Sequence, residues 1–238
     1  MKSSTLTLEV WGELACFSRP EMKVERFSYP VITPSAARGV FDAIFAKPAE
    51  FRWQIDRVEV LSLPSYIALR RNEVKEKAST QLVTQWMMGK APPEPILADS
   101  DGEATGRTQR QTMALRNVRY RLDAHIIPWP GFDHMLPALE DQFRRRASKG
   151  KCFYQPFLGC REFPAWFELR EPGMTEPRPV ALNLDVGLML YDVFNLSRPG
   201  RPTDRPYISL FRARVEQGIL VVPGFDDPNV IRLPGGAV

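Results

Sequence analysis

Within the run Met113 to Ile127 the chain alternates without a break from Val118 to Ile126: Val118, Tyr120, Leu122, Ala124 and Ile126 take one parity, and Arg119, Arg121, Asp123 and His125 take the other. Side chains along a strand point to opposite faces with a period of two, so this run predicts a strand that is apolar on one side and charged on the other. Such a strand belongs to a sheet covered by helices on one face only. The rest of the chain supplies matching pieces. Leu6, Leu8 and Val10 alternate with Thr7, Glu9 and Trp11, which predicts a first strand over Thr5 to Phe17. Thr33 followed by Pro34 is an N-cap with a helix-ready first position, and Ala37, Val40, Phe41, Ile44 and Phe45 then fall at helical spacing until Lys47-Pro48. Phe51, Trp53 and Ile55 alternate, then Val58 and Val60 do so in shifted phase, which predicts a strand to Leu63 with a bulge near Asp56-Arg57. Asp133 to Ser148 reads as a helix ending in Arg144-Arg145-Arg146, where cations complement the helix dipole, and a last strand covers Phe163 to Leu169.

The order is β-α-β, an insertion, β-α-β. This is an α+β fold of the ferredoxin-like, RNA-recognition-motif-like βαββαβ type over residues 1–172, with both helices on one face. The insertion, about 64–111, shows no apolar period and is expected to be a long flexible loop. Residues 173–238 are rich in proline and strand patterns, with a hairpin around Gln217-Gly218, and are expected to form a small C-terminal antiparallel β-sheet.

Charge narrows the function. The 238 residues carry 32 Lys and Arg against 28 Asp and Glu, and residues 171–238 hold seven basic and eight acidic side chains, so the whole excess lies in the first part. A polyanion partner fits that half. No apolar run approaches a membrane span or a secretory leader, so the expectation is a cytoplasmic protein with no membrane partner. Cys16, Cys152 and Cys160 form no C-x-x-C pair and only His125 and His134 could join them, so neither a metal nor a cofactor is expected. Cys160, between Gly159 and Arg161, reads as a buried structural thiol.

His125 is the one residue on the charged face whose ordinary pKa suits proton transfer near neutrality, and Arg119 and Arg121 share that face. A histidine beside fixed cations suits RNA cleavage without metal: a proton leaves the 2′-hydroxyl, another reaches the 5′-oxygen, and positive charge meets the phosphate. A surface histidine bonded to Asp123 is the plainer reading of the same residue. Trp11 offers a ring for base stacking or a surface for the insertion to cover. Arg144, Arg145, Arg146 and Lys149 make a phosphate-binding patch or a solvated helix end.

Three strings resemble one family. Val31-Ile32-Thr33-Pro34-Ser35-Ala36-Ala37-Arg38-Gly39 with Ile44-Phe45-Ala46-Lys47-Pro48, then Phe51-Arg52-Trp53, then Phe157-Leu158-Gly159-Cys160-Arg161-Glu162-Phe163 look like the type I-C member of the fifth family of CRISPR-associated (Cas) proteins, in the RAMP superfamily. The resemblance implies a metal-independent endoribonuclease that cleaves precursor CRISPR RNA within the repeat, stays on the 5′ handle, and joins the other subunits of a type I-C interference complex. Its alternative is a non-catalytic subunit that holds the handle. It implies CRISPR RNA, as repeat hairpin and 5′ handle, for a partner, with duplex DNA as a further polyanion, and adds Arg161 to the RNA contacts. Such members use a tyrosine, a lysine and a histidine. The histidine matches His125, whereas Phe45 stands at the tyrosine position and Arg121, Leu122 and Asp123 stand near the lysine, which leaves Arg121 as the catalytic substitute.

Overall fold

A computed structural model describes residues 3–22, 24–74, 79–94, 107–171, 177–201 and 203–232. Ten strands and three α-helices follow one another as β1 (Leu6–Ala15), β2 (Arg26–Phe27), α1 (Pro34–Ile44), β3 (Phe51–Val60), β4 (Tyr66–Val74), α2 (Thr80–Met87), β5 (Arg107–Pro128), α3 (Leu136–Ala147), β6 (Trp166–Arg170), β7 (Leu184–Asp192), β8 (Ser209–Glu216), β9 (Ile219–Val221) and β10 (Val230–Arg232). They build a single mixed α/β architecture around one large sheet, ordered β10-β8-β9-β3-β5-β1-β6, with β2 and β4 paired to β5 and β7 paired to β8. Every pairing along that path is antiparallel.

Local chemistry sets the elements. The Thr33 hydroxyl accepts the Ala36 amide at 3.3 Å and Pro34 opens α1, as the Thr-Pro pair predicts. The apolar parity of β5 is fully buried, and α1 and α3 close over it. The rings of Phe41, Phe143 and Trp53 meet there with centroids 4.8–5.5 Å apart. Phe45, the last residue of the α1 capping turn, also lies in this core against Phe51, and its carbonyl accepts the Trp53 indole N–H at 2.9 Å. The shifted phase in β3 is a bulge: Ile55 pairs with Ala124 and Arg57 with Asp123, so Asp56 has no place in the ladder. The predicted hairpin joins β8 and β9 through Gln217 and Gly218, both at positive φ.

The insertion differs from its expectation. β4 pairs residue for residue with the first third of β5, from Tyr66 opposite Leu115 to Val74 opposite Arg107, and α2 stands beyond it, so this stretch is an arm and not a loop. Its strand carries only a short apolar parity: Ile67 and Leu69 are half-buried against Cys16, Ala114, Cys160 and Phe163, and the opposite face is exposed. Residues 75–78 and 95–106 of the expected loop lie outside the described residues. Asn117, at φ 52°, turns β5 between the arm and the main sheet. The last predicted strand begins three residues later than expected, because Phe163 and Ala165 are committed to the turn closed by the Phe157–Pro164 bridge.

Candidate active site

The uncovered face of the sheet carries Thr7, Glu9 and Trp11 from β1, Asp56, Arg57 and Glu59 from β3, Arg119, Arg121, Asp123 and His125 from β5, and Arg170 from β6. Because Asp56 is the extra residue of the bulge, its side chain leaves the ladder and meets His125: Nδ1 lies 2.7 Å from Oδ2. Both side chains are about one-third exposed. An ionised carboxylate only accepts hydrogen bonds, so Nδ1 carries the proton and Nε2 of the neutral ring is left with a free lone pair. That is a proton acceptor held in one tautomer at the surface of a sheet. Asp56 is a candidate site residue that sequence reasoning missed; the phase shift in the β3 alternation was its signal.

Beside the pair, the face is locked by charge. Asp123, which the plainer reading paired with His125, instead accepts from Thr7 Oγ1 at 2.7 Å and from Arg57 Nε at 2.8 Å. Arg57 also reaches Glu59 at 2.9 Å, and Glu59 pairs with Arg121. Arg121 was expected on an open face as an RNA contact and catalytic cation, but it is only 4% exposed and gives its second Nη to the Pro177 carbonyl at 2.8 Å. It also stands four residues from His125, about 13 Å along the strand, beyond contact with a phosphate held at the histidine. The structure therefore corrects that role: Arg121 is a buried member of an ion network. Arg57, half-exposed, follows Asp56 directly in sequence and pairs with Asp123.

The other end of the face fits the expectation better. Arg119 stays half-exposed, pairs with the buried Glu9, and lies over the Trp11 ring with 5.7 Å from its guanidinium carbon to the centroid. Trp11 is opposite Trp166 of β6 in the ladder, and Trp166 is more than half exposed. Two indoles and a guanidinium thus share a patch that was only half legible, since the β6 boundary hid Trp166. Arg170 is buried against Glu9 and Glu168. Five carboxylates (Glu9, Asp56, Glu59, Asp123, Glu168) match five guanidinium groups (Arg52, Arg57, Arg119, Arg121, Arg170), so the face is compensated and not broadly cationic.

The basic end of α3 lies on the helical side of the sheet, away from His125. Here too the structure divides residues that the sequence grouped. Arg144 donates to the Ser4 hydroxyl at 3.1 Å, and Arg146 donates to the Ile44 carbonyl at 2.6 Å and stacks on Phe153 at 4.1 Å, so both serve the packing of α3. Arg145, Lys149 and Lys151 are exposed, and Arg161 is exposed on the loop 157–163. Among the described residues no group of three His, Cys, Asp or Glu side chains is placed to hold a metal, and no helix is long and apolar enough to cross a membrane.

A family model for CRISPR-associated protein Cas5, subtype Cas5d, matches residues 5–223. A relative from Thermus thermophilus, named CRISPR pre-crRNA endoribonuclease Cas5d, is 40% identical over 243 residues, covering 97% of this chain and 96% of its own. A second, of the same name from Mannheimia succiniciproducens, is 38% identical over 238 residues, covering 97% of this chain and 100% of its own. A solved structure described as that of a CRISPR-associated protein superposes with a TM-score of 0.62 at 18% identity, over 96% of this chain and 97% of that one, a likeness of fold.

Proposed function

The chain belongs to the Cas5d family of CRISPR-associated proteins, and on that premise we propose that it cuts precursor CRISPR RNA within the repeat by an endoribonuclease reaction centred on His125. The observation that carries this reading is the His125–Asp56 pair on the uncovered sheet face. The His125 Nε2 lone pair takes the proton of a 2′-hydroxyl, whose oxygen attacks the adjacent phosphorus. The 5′-oxygen leaves and takes a proton from solvent, giving a 2′,3′-cyclic phosphate upstream and a 5′-hydroxyl downstream. Nothing in these steps needs a metal. Arg57 stands where charge is wanted at the phosphate, and Arg121 keeps its place in the network instead. The Trp11, Trp166 and Arg119 patch, six residues or about 20 Å further along β5, offers stacking surfaces for unpaired bases of the same strand. Arg145, Lys149 and Arg161 contact backbone phosphates, and the protein remains on the 5′ handle within a type I-C complex in the cytoplasm.

The framework we assign is ferredoxin-like. The order β3-β5-β1-β6 with α1 and α3 on one face supports that assignment, since it is the split βαβ arrangement. Residues 173–238 are read as the second unit, an antiparallel extension that joins the first through β9 on β3.

Incubating the protein with its own repeat RNA in EDTA tests the chemistry. A positioned proton-transfer group contributes ~10² to 10⁴ in rate, so His125→Ala should lower cleavage by that factor with RNA affinity nearly unchanged. Asp56→Asn should cost about 10- to 100-fold, the usual scale for losing the partner that fixes a histidine's tautomer. Full-rate cleavage by His125→Ala would overturn the assignment. The core position of Phe45 favours the second reading, a handle-holding subunit without cleavage, and that reading predicts no cut by any variant while RNA binding persists.

A further inference from the structure

At the far end of β1, two thiols that the sequence reading treated as inert lie together. Cys16 and Cys160 sit in one small buried cluster, the Cys160 thiol donating to the Cys16 carbonyl at 3.9 Å, with Cys160 slightly the more exposed. The backbone holds them there. The Cys16 amide donates to the Leu158 carbonyl at 3.0 Å, and Gly159, at φ 84°, passes so close that an added Cβ would lie 2.0 Å from the Cys16 carbonyl oxygen. Around the sulfurs stand Ser18, whose hydroxyl is 3.5 Å from the Cys16 sulfur, and Arg26, whose Nη1 donates to the Cys160 sulfur at 3.1 Å. Arg71 and Glu162 lie just beyond, paired with each other, and Arg26 also reaches Glu162 at 3.6 Å. The hydrogen bond from the Cys160 thiol, with the two guanidinium groups behind it, draws the Cys16 thiol down to about 7, while the same contact and burial push Cys160 up. A thiol with a lowered pKa thus lies next to an arginine, the environment in which a cysteine becomes reactive.

We propose that Cys16 and Cys160 are an oxidation site for hydrogen peroxide, closing to a disulfide that ties the end of β1 to the loop 157–163. The small size of peroxide suits a buried pair. The Cys16 thiolate attacks one peroxide oxygen, the O–O bond breaks, and a sulfenic acid forms while hydroxide leaves and takes up the thiol's proton as water. The Cys160 sulfur then attacks the sulfenic sulfur: the S–S bond forms, the S–O bond breaks, and the departing hydroxide leaves as water with the Cys160 proton. The two sulfurs lose two electrons and one peroxide becomes two waters. The bond fixes the loop that carries Arg161 and Glu162, and Glu162 in turn holds Arg71 of the arm and Arg26 of β2. This site is independent of the cleavage reading.

The test treats the intact, folded protein with hydrogen peroxide, alkylates the remaining thiols, digests without reductant and maps peptides by mass spectrometry. Met87, 84% exposed, reports the dose as its sulfoxide. The expected result is a peptide pair joined through Cys16 and Cys160, lighter by two hydrogens and separated by dithiothreitol, with Cys152 still alkylated. In Cys160→Ser the oxidation should stop at a Cys16 sulfenic acid that dimedone captures. The proposal is overturned by sulfinic or sulfonic acid at either residue with no joined peptide, by a joined peptide that uses Cys152 instead, or by two untouched thiols at a dose that oxidises Met87.

Discussion

Replacing Glu59 by leucine decides whether the middle of the outer face is a structural ion network or an available cationic surface. Glu59 and Arg121 have side chains only 6% and 5% exposed; the half-exposed Arg57 also pairs with Glu59, and the Pro177 carbonyl also accepts from Arg121. Removing one member of a buried pair costs about 3–5 kcal/mol because the other charge stays in the interior. In Glu59→Leu the buried Arg121 loses its carboxylate partner, so the loss should be about 2–4 kcal/mol, or ~5–12 °C in melting temperature for a chain of this size. In Arg121→Met the stranded charge is Glu59, which keeps a full cation at 2.9 Å, so the loss should be smaller, about 1–2 kcal/mol. The double variant should cost less than the sum, since neither charge is left behind. Urea unfolding measures all three, and repeat-RNA affinity of Arg121→Met should match the unsubstituted protein. Equal losses for the two single variants, both under ~0.5 kcal/mol, would refute the reasoning and return Arg121 to the solvent.

Changing Arg145, Lys149 and Lys151 together to alanine should weaken RNA binding and lower the slope of log affinity against log salt by about 2, whereas Arg144→Ala with Arg146→Ala should lower stability and move the slope little; filter binding at several salt concentrations and a thermal melt separate the two. Burial pushes the Tyr191 phenol, which donates to the Pro223 carbonyl at 2.9 Å, up to about 12. Its folded pKa is raised, so its contribution is whole below the unfolded value near 10 and is lost as pH climbs from ~10 to ~12; Tyr191→Phe should show a shallower alkaline fall in urea stability over that window. Gly159→Ala adds a Cβ 2.0 Å from the Cys16 carbonyl at a φ of 84°, and should cost about 3 kcal/mol or more in unfolding experiments.

What could be read in the sequence was whatever repeated with a burial period. The apolar parities of β1, β3 and β5, the Thr33-Pro34 start of α1 and the Gln217-Gly218 turn all appear in place, because each is fixed by side chains within a few residues. β4 escaped because its half-buried face offers only two apolar residues, Ile67 and Leu69, before charged and polar residues take over the strand. The site was legible at His125 and illegible at its partner. Alternation places Asp56 only if the ladder is unbroken, and the bulge that breaks it depends on strands more than sixty residues away. Arg121 failed for the reverse reason: period two gives its face correctly, but nothing local says that Glu59 and Pro177 close over it.

The bulge also has a consequence in time. The carbonyl of Asp56 accepts the Val222 amide at 2.9 Å, and Arg57, Val58 and Glu59 pair with Val221, Leu220 and Ile219. Asp56 is thus clamped by a strand translated long after it. A chain still on the ribosome can assemble β1, α1, β3, β5 and β6, and with them the Trp11 and Trp166 patch, before β9 exists. Until β9 docks, the Asp56 carbonyl lacks its Val222 partner, so on the proposed reading the histidine pair is completed after the stacking patch.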